Sequence, residues 1–234
     1  MARHKRRRAS AAPVRVEPRA GGGLALLVGG VTQSITLATD GADVATPPTP
    51  PTLRPRYGYW ELMLSTPATG CPQRALLLGL GGGTIAALLA QRCPAAQIVG
   101  VERDATVLAT AYAELGLGDI PRLTVAQADA FAWVATQAAS SASDRYDLIC
   151  LDLFEGGRLA LGALGTPFLR QVALLLAPDG LLTVNLLANA RTPDHLRRLE
   201  RIFTVEQMLS LYGNRVVHCR LRDPLGGANG DVVG

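Results

Sequence analysis

Aromatic residues make up only 5% of this 234-residue chain. That scarcity argues against a β-sandwich and for helices packed on a buried sheet through small aliphatic side chains. Histidine occurs only as His4, His195 and His218, too dispersed to suggest a metal centre. The cysteines, Cys71, Cys93, Cys150 and Cys219, form no C-x-x-C pair. The expectation is therefore reduced thiols in a cytoplasmic protein, with Cys150 a small core residue inside an apolar run. No apolar run reaches the length of a transmembrane helix. The arginines followed by GGGLALLVGG lack a clear cleavage site, and the stretch is too short and glycine-rich to read as an export signal.

What is present is a 48% hydrophobic chain, enough for one large domain with a sizeable core. The net charge of +4 lies in MARHKRRR, which carries Arg3, Lys5, Arg6, Arg7 and Arg8. Without that tail the body is close to neutral, so no nucleic-acid surface is expected beyond the tail itself.

Residues 1–22 read as a disordered basic tail and 23–45 as an N-terminal β-hairpin, LALLV and VTQSITL turning at Gly29-Gly30. Residues 46–73 hold a proline-dense connector, TPPTPPTLRP, and a short helix at YWELML. From Arg74 strands and helices alternate: RALLLGL, a helix from Thr84 to Arg92, AQIVGVE, a helix from Ala105 to Leu115, RLTVAQ, a helix after Asp129, and YDLICLD. PFLRQVALLL reads as a helix stopped by Pro178 and Gly180, then LLTVNLL as a strand and 193–201 as a helix. FTVEQMLSL and NRVVHCRL read as an antiparallel hairpin, and 223–234 as a flexible tail. Continuous apolar strands between helices mean a parallel sheet covered on both faces, a doubly wound α/β fold spanning 74–222.

In such sheets a ligand lies at the carboxyl ends of the strands. The first strand of that domain runs into GLGGGT, with Gly79, Gly81, Gly82 and Gly83, a loop that lets backbone approach a ligand closely. Glu102 closes the second strand, where a carboxylate can accept from both hydroxyls of a ribose; a simple helix-capping role is the alternative, for which Asp104 also stands ready. Asp129 closes the third, placed either for an adenine amino group or as the N-cap of the helix that begins at Ala130. Asp152 closes the fourth, and Glu155 follows three residues later.

The G-x-G-x-G loop resembles the first motif of class I S-adenosylmethionine-dependent methyltransferases, which have a Rossmann-like, mostly parallel seven-stranded sheet. Within that superfamily, D-L-F-E at Asp152–Glu155 resembles the acid pair of the spermidine synthase (polyamine aminopropyltransferase) family. LLVGGVTQSI resembles its N-terminal hairpin with a substrate-side glutamine, Gln33, and YWEL its Tyr-x-Glu helix, with Tyr59 in the pocket. The resemblance implies decarboxylated S-adenosylmethionine or S-adenosylmethionine as co-substrate and no metal. Gly79, Gly81, Gly82, Gly83, Glu102, Asp129, Ala130 and Gln33 would bind it. It also implies a small-molecule amine acceptor, no membrane and a homodimer. Asp152 would take the proton of the amine, which is mostly protonated at neutral pH, and Glu155 would anchor a distal ammonium. The chain departs from that family at Pro55 and Arg56, where an Asp-Glu pair is usual. It also lacks the usual aspartate in the glycine loop and has Gly156, Gly157 and Arg158 after the second acid. Arg158 near the pocket would repel a diammonium substrate such as putrescine. Three readings stay open on this basis: aminopropyl transfer, methyl transfer, and nucleoside binding without catalysis.

Overall fold

The computed structural model describes residues 12–19, 23–37, 57–65, 70–140 and 145–222. The Arg-rich start, the proline-dense connector with Pro55 and Arg56, and the C-terminal tail lie outside these residues.

The expected hairpin is present, β2 (Leu24–Val28) and β3 (Val31–Ile35), turning through Gly29 and Gly30 at φ 59° and 81°. Such positive values suit the tight turn that matches strand twist. A further strand, β1 (Val14–Pro18), pairs antiparallel with β2 from Val14↔Val28 to Pro18↔Leu24. This corrects the expectation of a tail through residue 22. Val14 and Val16 are half-buried while Arg15 and Glu17 are exposed, a two-residue alternation hidden beneath the basic composition.

After α1 (Tyr59–Met63), the main domain follows in order: β4 (Arg74–Leu78), α2 (Thr84–Arg92), β5 (Gln97–Glu102), α3 (Ala105–Glu114), a 3₁₀ turn (Leu117–Asp119), β6 (Leu123–Gln127), α4 (Ala130–Ala139) and β7 (Tyr146–Leu151). A two-strand hairpin, β8 (Phe154–Glu155) and β9 (Arg158–Leu159), comes next, then α5 (Thr166–Leu175), β10 (Leu176–Leu187), α6 (Thr192–Glu200), β11 (Phe203–Leu211) and β12 (Asn214–Leu221). The sheet order is β11-β12-β10-β7-β4-β5-β6, with β12 antiparallel to its neighbours β11 and β10 and the run β10-β7-β4-β5-β6 parallel. The chain leaves β4 toward β5 on one side and returns to β7 on the other. The carboxyl ends of β4, β5 and β7 therefore flank a crevice at the switch point.

Alternation along β4 divides the core. Leu77 packs on one face with Leu88 and Met63, while Leu76 and Leu78 pack on the other with Ile149 and Leu169. Each fully buried side chain of this kind stabilises the fold by about 1.5–3 kcal/mol.

Two further expectations are corrected. APDG does not separate helix from strand: β10 already starts at Leu176, and its register with β7 shifts between Leu176 and Leu181. A Cβ on Gly180 would stand 2.9 Å from the carbonyl oxygen of Tyr146, so glycine permits the bulged strand to stay close to β7. Cys71 and Cys93 are joined in a disulfide, with Cα atoms 5.4 Å apart, where reduced thiols were expected. A helix that folds back on its preceding strand returns its C-terminus to the strand's start, which brings residues 22 apart side by side. Cys150 and Cys219 are buried thiols. Among the described residues no helix is long and apolar enough to cross a membrane.

Candidate active site

The glycine loop owes its shape to contacts on both sides. Gly79 has φ 89°, and a Cβ there would stand 2.3 Å from the carbonyl oxygen of Asp152, so the loop lies directly against the end of β7. On the other side β3 is stapled to it. The Gly82 N–H donates to Ser34 Oγ (2.6 Å), and Thr84 Oγ1 donates to the Ile35 carbonyl (2.8 Å) while accepting from the Ile35 N–H (2.7 Å). Gly79 and Gly81 line a cleft of about 300 Å³. Gly82 and Gly83 do not: Gly82 is committed to Ser34, and Gly83, at φ 91°, packs where a Cβ would meet Leu117 at 2.6 Å. Their part is to hold the loop.

Glu102 and Asp104 both line the cleft at the end of β5. Asp104 Oδ1 also caps α3 by accepting from Thr106 and Val107, the role weighed as the alternative there. Glu102 Oε2 accepts from the Gly81 N–H (3.0 Å), and Oε1 accepts from the backbone N–H of Arg103 (2.9 Å) and Asp104 (3.0 Å). Asp129 is the N-cap of α4, one of the two roles considered for it. Its Oδ1 caps α4 through Phe131 and Ala132, and Asp129 and Ala130 line the cleft. Gln33 lines it from β3.

Asp152 lines the cleft at the end of β7. Its backbone N–H donates to the Leu78 carbonyl (2.9 Å), extending the β4–β7 ladder by one residue and fixing the side chain at the cleft floor. Oδ2 accepts from the Tyr59 phenol and Oδ1 from Asn185 Nδ2, each at 2.9 Å. Burial pushes its pKa up to about 6; the bonds from Asn185 and Tyr59 oppose that rise and the charge of Glu102 adds to it. Burial and then the charge of Asp152 raise Tyr59 well above the usual phenol range, so it stays a hydrogen-bond donor. Tyr59 stands behind Asp152, with its neighbour Trp60 lining the cleft.

Helix α1 holds Tyr59 in place through three contacts. Glu61 Oε1 accepts from the Tyr57 N–H (2.7 Å), Glu61 Oε2 pairs with Arg92 (3.4 Å), and His218 Nε2 lies 2.9 Å from the Leu62 carbonyl. Asn185, Ser34, Thr84 and Glu61 were absent from the expected site. Asn185 carried a sequence signal as a polar residue inside the apolar run LLTVNLL, and Glu61 as the acid of the Tyr-x-Glu helix.

Glu155 lines the same cleft as Asp152. It sits half-exposed on the β8–β9 hairpin, opposite Arg158, and its carboxylate is ion-paired with Arg103 Nη1 at the cleft mouth. Gly156 and Gly157, at φ 53° and 75°, make the turn that aims it there. Arg158 is exposed and lies outside the cleft lining. Among the described residues, the charged ones lining the cleft are thus Glu102, Asp104, Asp129, Asp152 and Glu155 against the guanidinium of Arg103.

This strand order, with its hairpin edge and glycine loop, is the class I S-adenosylmethionine-dependent methyltransferase fold. No family model matches the chain. It is 30% identical over 172 residues to the mouse eEF1A lysine and N-terminal methyltransferase, covering 69% of this chain and 24% of that one. It is 34% identical over 131 residues to a probable polyamine aminopropyl transferase of Bifidobacterium longum, covering 55% and 27%. The chain therefore spans about a quarter of the length of these two relatives. Among solved structures it resembles human methyltransferase-like protein 13 in complex with SAH (TM-score 0.59, 26% identity, 71% of this chain and 77% of that chain). It also resembles a probable spermidine synthase of Corynebacterium glutamicum (TM-score 0.64, 20% identity, 88% and 76%), a likeness of fold alone. The relatives and neighbours are transferases, divided between methyl and aminopropyl transfer.

Proposed function

We propose that the chain is a transferase that moves an aminopropyl group from decarboxylated S-adenosylmethionine to an amine. The observation that carries this reading is Asp152, gripped by Tyr59 and Asn185 at the floor of an acidic cleft, with its pKa raised to about 6. A general base works best when its pKa lies near the working pH. Here it would receive the proton of the acceptor ammonium as the amine nitrogen forms a bond to the propyl carbon. The carbon–sulfur bond breaks with its electron pair moving to sulfur, and neutral methylthioadenosine leaves. Gly79 and Gly81 would allow close approach of the nucleoside, with Glu102 at its ribose, Asp129 and Ala130 at its adenine, and Gln33 above it.

Charge favours the decarboxylated co-substrate. A sulfonium and an ammonium suit a cleft lined by five carboxylates, whereas an additional ligand carboxylate would find, among the described residues, only Arg103, already paired with Glu155. Incubation with decarboxylated S-adenosylmethionine and a panel of amines should release methylthioadenosine; no release with any amine would refute the reading. The second reading is methyl transfer on the same scaffold, supported by the likeness to the mouse and human methyltransferases. Calorimetry separates the two, since a methyltransferase would bind the carboxylated nucleoside more tightly.

A further inference from the structure

We infer that the acceptor is an amine bearing a single positive charge, with an uncharged or anionic far end, because Arg103 fills the place at Glu155 that a second ammonium would need. The inference rests on the amine-transfer reading above and narrows its substrate class.

Both partners of the Arg103–Glu155 pair stand on fixed backbone. The Arg103 N–H donates to Glu102 Oε1, and Asp104, the next residue, caps α3. Glu155 stands in the β8–β9 ladder, Phe154↔Leu159 and Glu155↔Arg158, and the turn residue Gly157 lies against Val31 of the N-terminal sheet. Arg158, directly across the hairpin from Glu155, is exposed and lies outside the cleft lining, so the guanidinium at Glu155 is that of Arg103. The Glu155 carboxylate is thus occupied by Arg103, while among the described residues Glu102, Asp104, Asp129 and Asp152 keep the rest of the lining negative.

On the amine-transfer reading, a diamine with one end at Asp152 could place its other ammonium at Glu155 only by displacing Arg103. An exposed ion pair is weak in itself, but opening it does not remove the obstacle. Arg103 lines the cleft on a backbone held by Glu102, so its guanidinium stays within side-chain reach of the mouth, and like charges at short range disfavour the complex. A neutral or anionic far end meets no such penalty.

Three acceptors of equal chain length test this: butylamine, 4-aminobutanoate and 1,4-diaminobutane, each assayed with decarboxylated and with carboxylated S-adenosylmethionine. Wild type should show a lower kcat/KM for 1,4-diaminobutane than for butylamine. Arg103→Gln frees Glu155 and should raise the diamine-to-monoamine ratio about 10-fold. Adding Glu155→Gln to that variant should return the ratio toward wild type, which a general loss of structure would not do. A wild type that prefers the diamine, or a ratio that Arg103→Gln leaves unchanged, overturns the inference. No product from any amine with either nucleoside is a different result, and it refutes the amine-transfer reading together with the inference that depends on it.

Discussion

The phenol of Tyr59 donates to Oδ2 of Asp152 at 2.9 Å, across 93 residues of sequence. The bond joins a five-residue helix outside the main domain to the end of a central strand. It does so where burial already disfavours the carboxylate charge, so the donor stabilises the ionised form that a base needs.

Replacing Tyr59 by Phe removes a bond that lowers the pKa of Asp152, so that pKa should rise further. The acidic limb of the kcat/KM profile should then move to higher pH, with stability falling by about 1 kcal/mol. Rate measurements between pH 5 and 9 on both proteins check the direction; an unmoved limb would separate Tyr59 from the ionisation of Asp152.

Asp152→Asn should lower turnover by about 10²- to 10⁴-fold and flatten that limb. The same change should also stabilise the protein. The folded pKa of Asp152, about 6, lies above the ordinary value of 3.8, so the folded state holds its proton more tightly than the unfolded state. The contribution to stability is fully present below pH 3.8 and is lost as pH rises through 6. Above that the charged group costs on the order of 1–3 kcal/mol. Thermal unfolding at pH 5 and 7.5 should show the Asn variant gaining on wild type at the higher pH.

The glycine loop yields a paired test. Ser34→Ala leaves the buried Gly82 N–H without its acceptor, at a cost of about 1–3 kcal/mol. It should weaken nucleoside binding measured by calorimetry, because the clamp from β3 is lost. Gly79→Ala places a methyl group 2.3 Å from the Asp152 carbonyl and should displace Asp152 itself, abolishing turnover even where the protein still folds.

The Cys71–Cys93 disulfide closes a loop across 22 residues, which corresponds to about 2–4 kcal/mol of stabilisation. The melting temperature should fall on adding reductant, and Cys71→Ser should reproduce the fall and abolish the response to reductant. An insensitive wild type would show that the bridge does not form in solution.

Much of the fold was legible because it rests on local pattern. The continuous apolar strands, the helix bounded by Thr84 and Arg92, and the Gly29-Gly30 turn follow from periodicity and backbone freedom alone. Strand β1 was not legible, since its two valines sit inside a basic, proline-containing segment whose composition suggested a tail. The β8–β9 hairpin is two residues a side, too short for any periodicity to register. The disulfide carries no spacing signature, because the pairing depends on a helix folding back along its strand.

The sequence by itself determined which residues stand at strand ends, and therefore that Gly79, Glu102, Asp129 and Asp152 share one crevice. Alternation and strand length place them there without knowledge of any partner. Only the tertiary structure decided what each one touches. It set Asn185 and Tyr59 on Asp152, clamped Gly82 with Ser34, and paired Glu155 with Arg103. Those contacts join elements far apart in the chain, and a hydrogen bond or ion pair needs groups within about 3–4 Å, a distance that folding sets and sequence spacing does not encode.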